Sequence, residues 1–250
     1  MPAAKKTGKL KYTEANGSRC KAQQLAIDAI FDLIQHREIL PGSRLFETEL
    51  EERLSISRTP IRQAFDQLTA DGVLEKRPGQ KGFFFPKLSI HDLCHAYIFR
   101  EQLELLSVRL ATFNLTDESA KKVKRAITNE ETLCELRIIE TYRDIQNSFH
   151  AVLASVSNNA YLERTIKHIY MRLSFYEFYY GSYRVQKEQI EAHKTEARMI
   201  QEHESIFQAV KDRKTELAAE RMETHLRQAP LMSDFVQNED LWKQQNSAVR

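Results

Sequence analysis

Glycine and proline are scarce: seven and six in 250 residues. That is too few for the many tight turns of an all-β fold, so long helices are expected. Cysteine is scarcer still, and Cys20, Cys94 and Cys134 are irregularly spaced. They form neither a disulfide framework nor a CxxC metal knuckle, and fit thiols kept reduced. No apolar run approaches the ~18 residues of a membrane span, and the opening MPAAKKTGKLKYTEANGSRCK has no apolar secretory core. The expectation is a cytoplasmic protein with no membrane partner. Neither sign of charge dominates, with 37 Lys and Arg against 35 Asp and Glu. The balance is uneven along the chain, however. Residues 1 to 90 carry 15 basic against 11 acidic side chains, leaving 22 against 24 for the rest, so the N-terminal part is the better match for a polyanion.

What is present is helical periodicity over a chain that is 42% hydrophobic, enough for a core. After a flexible basic arm (1–20), KAQQLAIDAIFDLIQHREILPG places Leu25, Ile27, Ile30, Phe31 and Ile34 at helical spacing and stops at Pro41-Gly42. ETELEERL predicts a short second helix anchored by Leu45, Leu50 and Leu54. A third starts with Thr59 as N-cap and Pro60 in its first turn, turns Ile61, Phe65 and Leu68 inward, and ends near Asp71-Gly72. VLEKR, PGQKG and FFFPKL read as strand, turn and strand. Three helices and a hairpin over 21–88 make a winged helix-turn-helix. From 89 to 231 only helical patterning remains, over about 91–114, 117–137, 139–156, 160–181, 184–211 and 214–229. This is an all-α antiparallel bundle of about six helices, followed by a polar tail (232–250).

Arg58 and Arg62 bracket the start of the third helix. A recognition helix enters the major groove with its N-terminal end, and the arginine fork grips guanine or phosphate with two hydrogen bonds. Arg58, Thr59, Arg62 and Gln63 are therefore candidate contacts to double-stranded DNA, with Gly79 at the hairpin tip allowing close backbone approach. The alternative is that both arginines are ordinary solvated charges.

PGSRLFETELEERLSISRTPIRQAFDQLTADGVLEKRPG resembles the signature of GntR-family bacterial transcription regulators. FREQLELLSVRLA, SFHAVLASVSNN, EHESIFQAV and METHL resemble the ligand-sensing FCD domain of the FadR subfamily, so the similarity runs over roughly residues 22–228. The resemblance implies a homodimeric regulator of a near-palindromic operator. It also implies control by a small organic acid effector, sometimes held on a metal ion. Ser55 stands where the family has glycine, and the wing turn is one residue longer than usual.

Projected at 100° per residue, Arg100 and Glu104 fall in the buried arc of their helix. They are either an internal ion pair or, for Arg100, an anion site like that of the regulators it resembles. His150 projects with Gln146, Tyr142, Leu153 and Ala154, and Asp144 lies well off that face. His203 sits among Met199, Ile200, Ile206, Phe207 and Val210, and His225 near Ala218, Met222 and Ala229. A lone inward histidine is ordinarily a satisfied core residue, but three on three helices of one bundle suit a divalent ion, zinc or nickel. The family places an aspartate four residues before the first histidine, where this chain has Gln146. Arg100, Glu104, Gln146 and Asn159 make up the expected effector set. A hydrolytic metal centre needs a general base near the ion, for which Glu104 is the candidate, and it leaves the winged helix without a role. A purely architectural DNA-binding protein does not explain the buried polar cluster.

Overall fold

The structure, a computed structural model, describes residues 8–136, 140–180 and 189–229. The chain divides into two compact units, Met1–Lys87 and Leu88–Arg250. The tail expected over 232–250 and the first seven residues of the arm lie outside the described residues.

In the first unit α1 (Gly8–Gln35), β1 (Arg44–Leu45), α2 (Glu47–Leu54), α3 (Arg58–Ala70) and β2 (Phe83–Phe84) follow in order. Helix α1 starts at Gly8, so much of the stretch expected to be a flexible arm is helical. It contains no proline to break the backbone ladder. Ala26, Ile27, Ile30, Phe31 and Ile34 pack inward against Ile61, Ala64, Phe65 and Leu68 of α3. Leu25, expected on that face, is exposed.

Ser57, not Thr59, occupies the N-cap position of α3, without a side-chain hydrogen bond to the helix, and Thr59 is the second residue of the helix. Pro60 is third, where a missing N–H still costs nothing. The turn between α2 and α3 passes through Ser55 at φ +54°. Glycine takes this left-handed conformation freely, whereas any other residue loses about 1 kcal/mol there.

The hairpin differs from expectation as well. Phe83 and Phe84 pair antiparallel with Leu45 and Arg44, and VLEKR contributes only a bridge from Glu75 to Phe84. A two-residue strand between two helices leaves too short a pattern to be read from sequence. At the wing tip Gln80 N–H donates to Arg77 C=O across Pro78 and Gly79, with Gly79 at φ +73°. Proline then glycine at the two central positions makes a type II turn, and the positive φ requires the glycine.

The second unit comprises α4 (Ile90–Asn114), α5 (Asp117–Leu136), α6 (Tyr142–Gln146), α7 (Phe149–Val156), α8 (Ala160–Tyr180), α9 (Gln189–Lys211) and α10 (Thr215–Arg227). The single helix expected over 139–156 is two. Thr141 and Asp144 form a reciprocal capping box on α6, and Ser148 caps α7. Two sets of side-chain caps within eight residues satisfy amides that would otherwise need a continuous helix. They also explain why Asp144 projects away from the other polar candidates. Val108, Ala111, Val123, Ile127, Phe149, Leu153, Ile206, Phe207, Val210 and Met222 form the main core, drawn from α4, α5, α7, α9 and α10. No described helix is long and apolar enough to cross a membrane.

Candidate DNA-binding face and buried histidine centre

Arg58, Thr59, Arg62 and Gln63 are all exposed at the N-terminal end of α3, on the side away from its buried residues. Arg58 pairs with Glu51 of α2, whose carboxylate raises the guanidinium pKa. Three cations at the wing stack on its aromatics. Arg44 lies over Phe46 at 4.4 Å, Arg77 over Phe84 at 4.3 Å and Lys76 over Phe83 at 4.7 Å, contacts that pin charged side chains near the hairpin. The periodicity argument found none of these three. For Lys76 and Arg77 the signal was a KR pair set ahead of the phenylalanine run, across the five-residue PGQKG turn.

In the second unit His150 of α7, His203 of α9 and His225 of α10 are buried. They converge, with ring nitrogens close enough to share one ion. His225 Nε2 lies 3.3 Å from both His203 Nε2 and His150 Nε2. Each Nδ1 faces a different carboxylate: Glu104 for His150, Glu130 at 2.9 Å for His203, and Glu202 at 2.7 Å for His225. A carboxylate only accepts, so each Nδ1 carries the hydrogen and each Nε2 turns a lone pair to the centre. Glu130 also accepts from the Phe149 N–H at 2.7 Å, which ties the first turn of α7 to α5.

Burial dominates the titration here. It pushes the His150 pKa well down and the His225 pKa down, against the opposing pull of Glu104 and Glu202. Burial alone would raise Glu104, yet Arg100 and His150 overcome it and hold that carboxyl well below the usual range. Arg100 Nε donates to Glu104 at 2.5 Å, and its guanidinium stands 5.1 Å from the Tyr170 ring. The internal pair is thus the arrangement found.

Two of the expected effector residues are placed otherwise. Asn159 Oδ1 accepts from the N–H groups of Tyr161 and Leu162 at 3.1 and 3.2 Å, so it caps α8. Gln146 ends α6 and is separated from His150 by the break between α6 and α7, so the four-residue helical relation expected between them does not exist. Its Nε2 is buried without a hydrogen-bond partner. Rotating the amide by half a turn would place an oxygen there instead. Ser107 Oγ, on the face of α4 that carries Glu104, is likewise buried and unpartnered. Sequence reasoning missed Glu130, Glu202 and Ser107. Glu130 was visible in principle, because it continues the apolar face of Val123, Ala126 and Ile127. Glu202 gave no such signal.

The donor set fits a divalent ion. Nitrogens bonded to one tetrahedral ion at about 2.0–2.1 Å lie roughly 3.3–3.4 Å apart, the spacing found for two of the three pairs. Carboxylates behind the imidazoles fix both tautomer and ring orientation, as is usual around bound metal.

The comparisons place this architecture. The profile "Bacterial regulatory proteins, gntR family" matches residues 22–85 and that of the FCD domain residues 95–228. The chain therefore belongs to the gntR family of regulators with an FCD domain, and it is a transcriptional regulator rather than an enzyme. It is 33% identical over 135 residues to the Nta operon transcriptional regulator of Aminobacter aminovorans, covering 54% of this chain and 63% of that one. It is 28% identical to the regulator YdhC of Bacillus subtilis, over 74% of this chain and 79% of the other. It is 23% identical to the transcriptional repressor RspR of Escherichia coli, over 78% and 81%. The solved structure of E. coli McbR/YncC superposes with a TM-score of 0.61 at 23% identity, over 90% of this chain and 94% of that one, a likeness of fold.

Proposed function

We propose that the chain is a cytoplasmic, homodimeric repressor of a near-palindromic operator, and that a small organic acid bound on a divalent ion in the FCD domain controls its hold on DNA. The relative named a transcriptional repressor supports the sign. The convergence of three imidazole nitrogens, each backed by its own carboxylate, carries the effector reading. His150, His203 and His225 would hold the ion, which when bound supplies a Lewis acid for a carboxylate oxygen.

Charge supports an anionic effector. Arg100 offsets Glu104, and Arg198 meets Glu202 at 3.3 Å, while Glu130 pairs among the described residues with the His203 imidazole and the Phe149 amide. One negative charge therefore remains, and a dication would leave the centre one unit positive. The Ser107 hydroxyl and the Gln146 amide supply buried polar groups with partners still to find.

A thermal-shift screen of small carboxylates tests this. One member is expected to raise the melting temperature of zinc-loaded protein, by an amount worth about 2.7 kcal/mol at a hundred times its Kd, and to leave the metal-stripped protein unmoved. Equal shifts in both forms would refute a metal-held effector. For the DNA face, Arg62→Ala is expected to weaken operator binding by about 1–3 kcal/mol without changing the fold. Unchanged affinity at moderate salt would reject the assigned recognition face.

A further inference from the structure

Helices α9 and α10 are joined by a short turn and lie along each other as a helical hairpin. Between them is a cavity of about 370 Å³, a size that holds a small metabolite. Its α9 wall runs from Arg198 to Ser205, seven residues and about 10.5 Å of helix, and its α10 wall from Leu217 to His225. Glu202 divides its two oxygens here: one meets Arg198 at 3.3 Å, the other accepts from His225 Nδ1 at 2.7 Å. The cavity thus adjoins the histidine centre on the Nδ1 side of one ring, and is separate from the point where the three Nε2 atoms meet.

The charges on its wall fall into two groups. Arg198 and Glu202 hold each other, and Arg198 also donates to the Gln228 C=O at 3.1 Å. Arg221 and Glu220 differ. Arg221 Nη1 donates to the Ser205 C=O at 2.6 Å, which fixes the guanidinium against α9, but it meets no carboxylate among the described residues. The exposed Glu220 carboxylate likewise meets no cation among them. A single solvated charge is ordinary. One of each sign on the wall of one cavity is a recognition pattern.

We infer that this cavity is a second ligand site for an α-amino acid with an apolar side chain, its carboxylate on Arg221, its ammonium on Glu220 and its side chain against Leu217. Charge selects a molecule of both signs. A simple anion would meet Glu202 and Glu220, and a simple cation Arg198 and Arg221, each a costly approach of like charges. A zwitterion finds an opposite for each end. Arginine offers the planar fork that matches a carboxylate, and Leu217 stands one turn before Arg221 on the same face of α10, packed against the main core. No ion takes part in these contacts, so the site is independent of the metal-held effector proposed above.

Binding of the common L-amino acids to the metal-stripped full chain tests it. At least one with an aliphatic or aromatic side chain is expected to raise the melting temperature and to titrate calorimetrically at one per chain. The acid lacking its amino group and the amine lacking its carboxylate are each expected to bind at least about tenfold more weakly. Glu220→Gln alters an exposed side chain and is expected to weaken binding by about tenfold or more, with circular dichroism and ligand-free melting unchanged. Thr224→Trp, at an exposed position of the lining, sets a large ring across the cavity and is expected to abolish binding. Full-strength binding to both variants would place the amino acid elsewhere in the molecule, and equal binding of the deaminated acid would make the ligand a simple anion. Either result overturns the proposal, as does the absence of a shift with every amino acid.

Discussion

Arg100→Met is expected to destabilise the FCD unit by roughly 3–5 kcal/mol, the usual consequence of removing one member of a buried ion pair. The loss comes less from the missing attraction than from what remains. Glu104 is 1% exposed, and without the guanidinium its charge faces only the His150 imidazole. Methionine keeps the stem's packing, so the charge is the variable. Arg100→Met combined with Glu104→Gln removes both charges and keeps an acceptor for the His150 Nδ1–H, and is expected to recover at least half of the loss. Urea unfolding of the metal-free proteins measures both variants. A single variant within about 1 kcal/mol of the parent would show that the pair contributes little, and that the Glu104 carboxylate finds compensation elsewhere.

The second large effect is on metal retention. His203→Ala would remove one nitrogen from the proposed ion and would also leave the buried Glu130 oxygen without its imidazole donor, so α5 loses this tie to α9. Retention after dialysis is expected to fall at least as far as the 10- to 100-fold typical of losing a supporting group behind a ligand. Gln146→Asp tests whether position 146 reaches the centre across the break between α6 and α7: an anionic oxygen is the better donor to a divalent ion, and from that position it is expected to tighten retention. Elemental analysis of the dialysed parent and the two variants decides. Equal, negligible metal in all three would make the histidines a polar pocket without an ion.

Helical periodicity is a local property, and what it could reach in the sequence was local too. Ile61, Phe65 and Leu68 were placed on the inner face of α3 because 3.6-residue spacing does not depend on what packs against it. The same spacing put Arg100, Glu104 and all three histidines inward. It failed where the backbone stopped following one helix. The caps at Thr141 and Ser148 broke the turn assumed to join Gln146 to His150, and Asn159 turned out to spend its oxygen on the start of α8. It also could not assign partners. Nothing in the spacing says that Glu130, seventy-three residues before His203, would stand behind that ring, since such pairings are made by tertiary packing. Ser57, two residues before Thr59, took the capping position because either residue can serve and the chain path chose between them.

The three histidines sit on three separate helices, with seventy-five residues between His150 and His225. Closing so long a loop costs the unfolded chain entropy that the assembled bundle has already met, so affinity for a divalent ion would reside mainly in the assembled bundle. Release then has two routes: ligands departing one by one within the closed bundle, or separation of α7, α9 and α10. Because each ring is clamped by a carboxylate on another stretch of chain, the first route would be obstructed, and isotope exchange of an ion held there should keep pace with opening of the helices. An exchange clock on such an ion would thus read the breathing of the FCD domain.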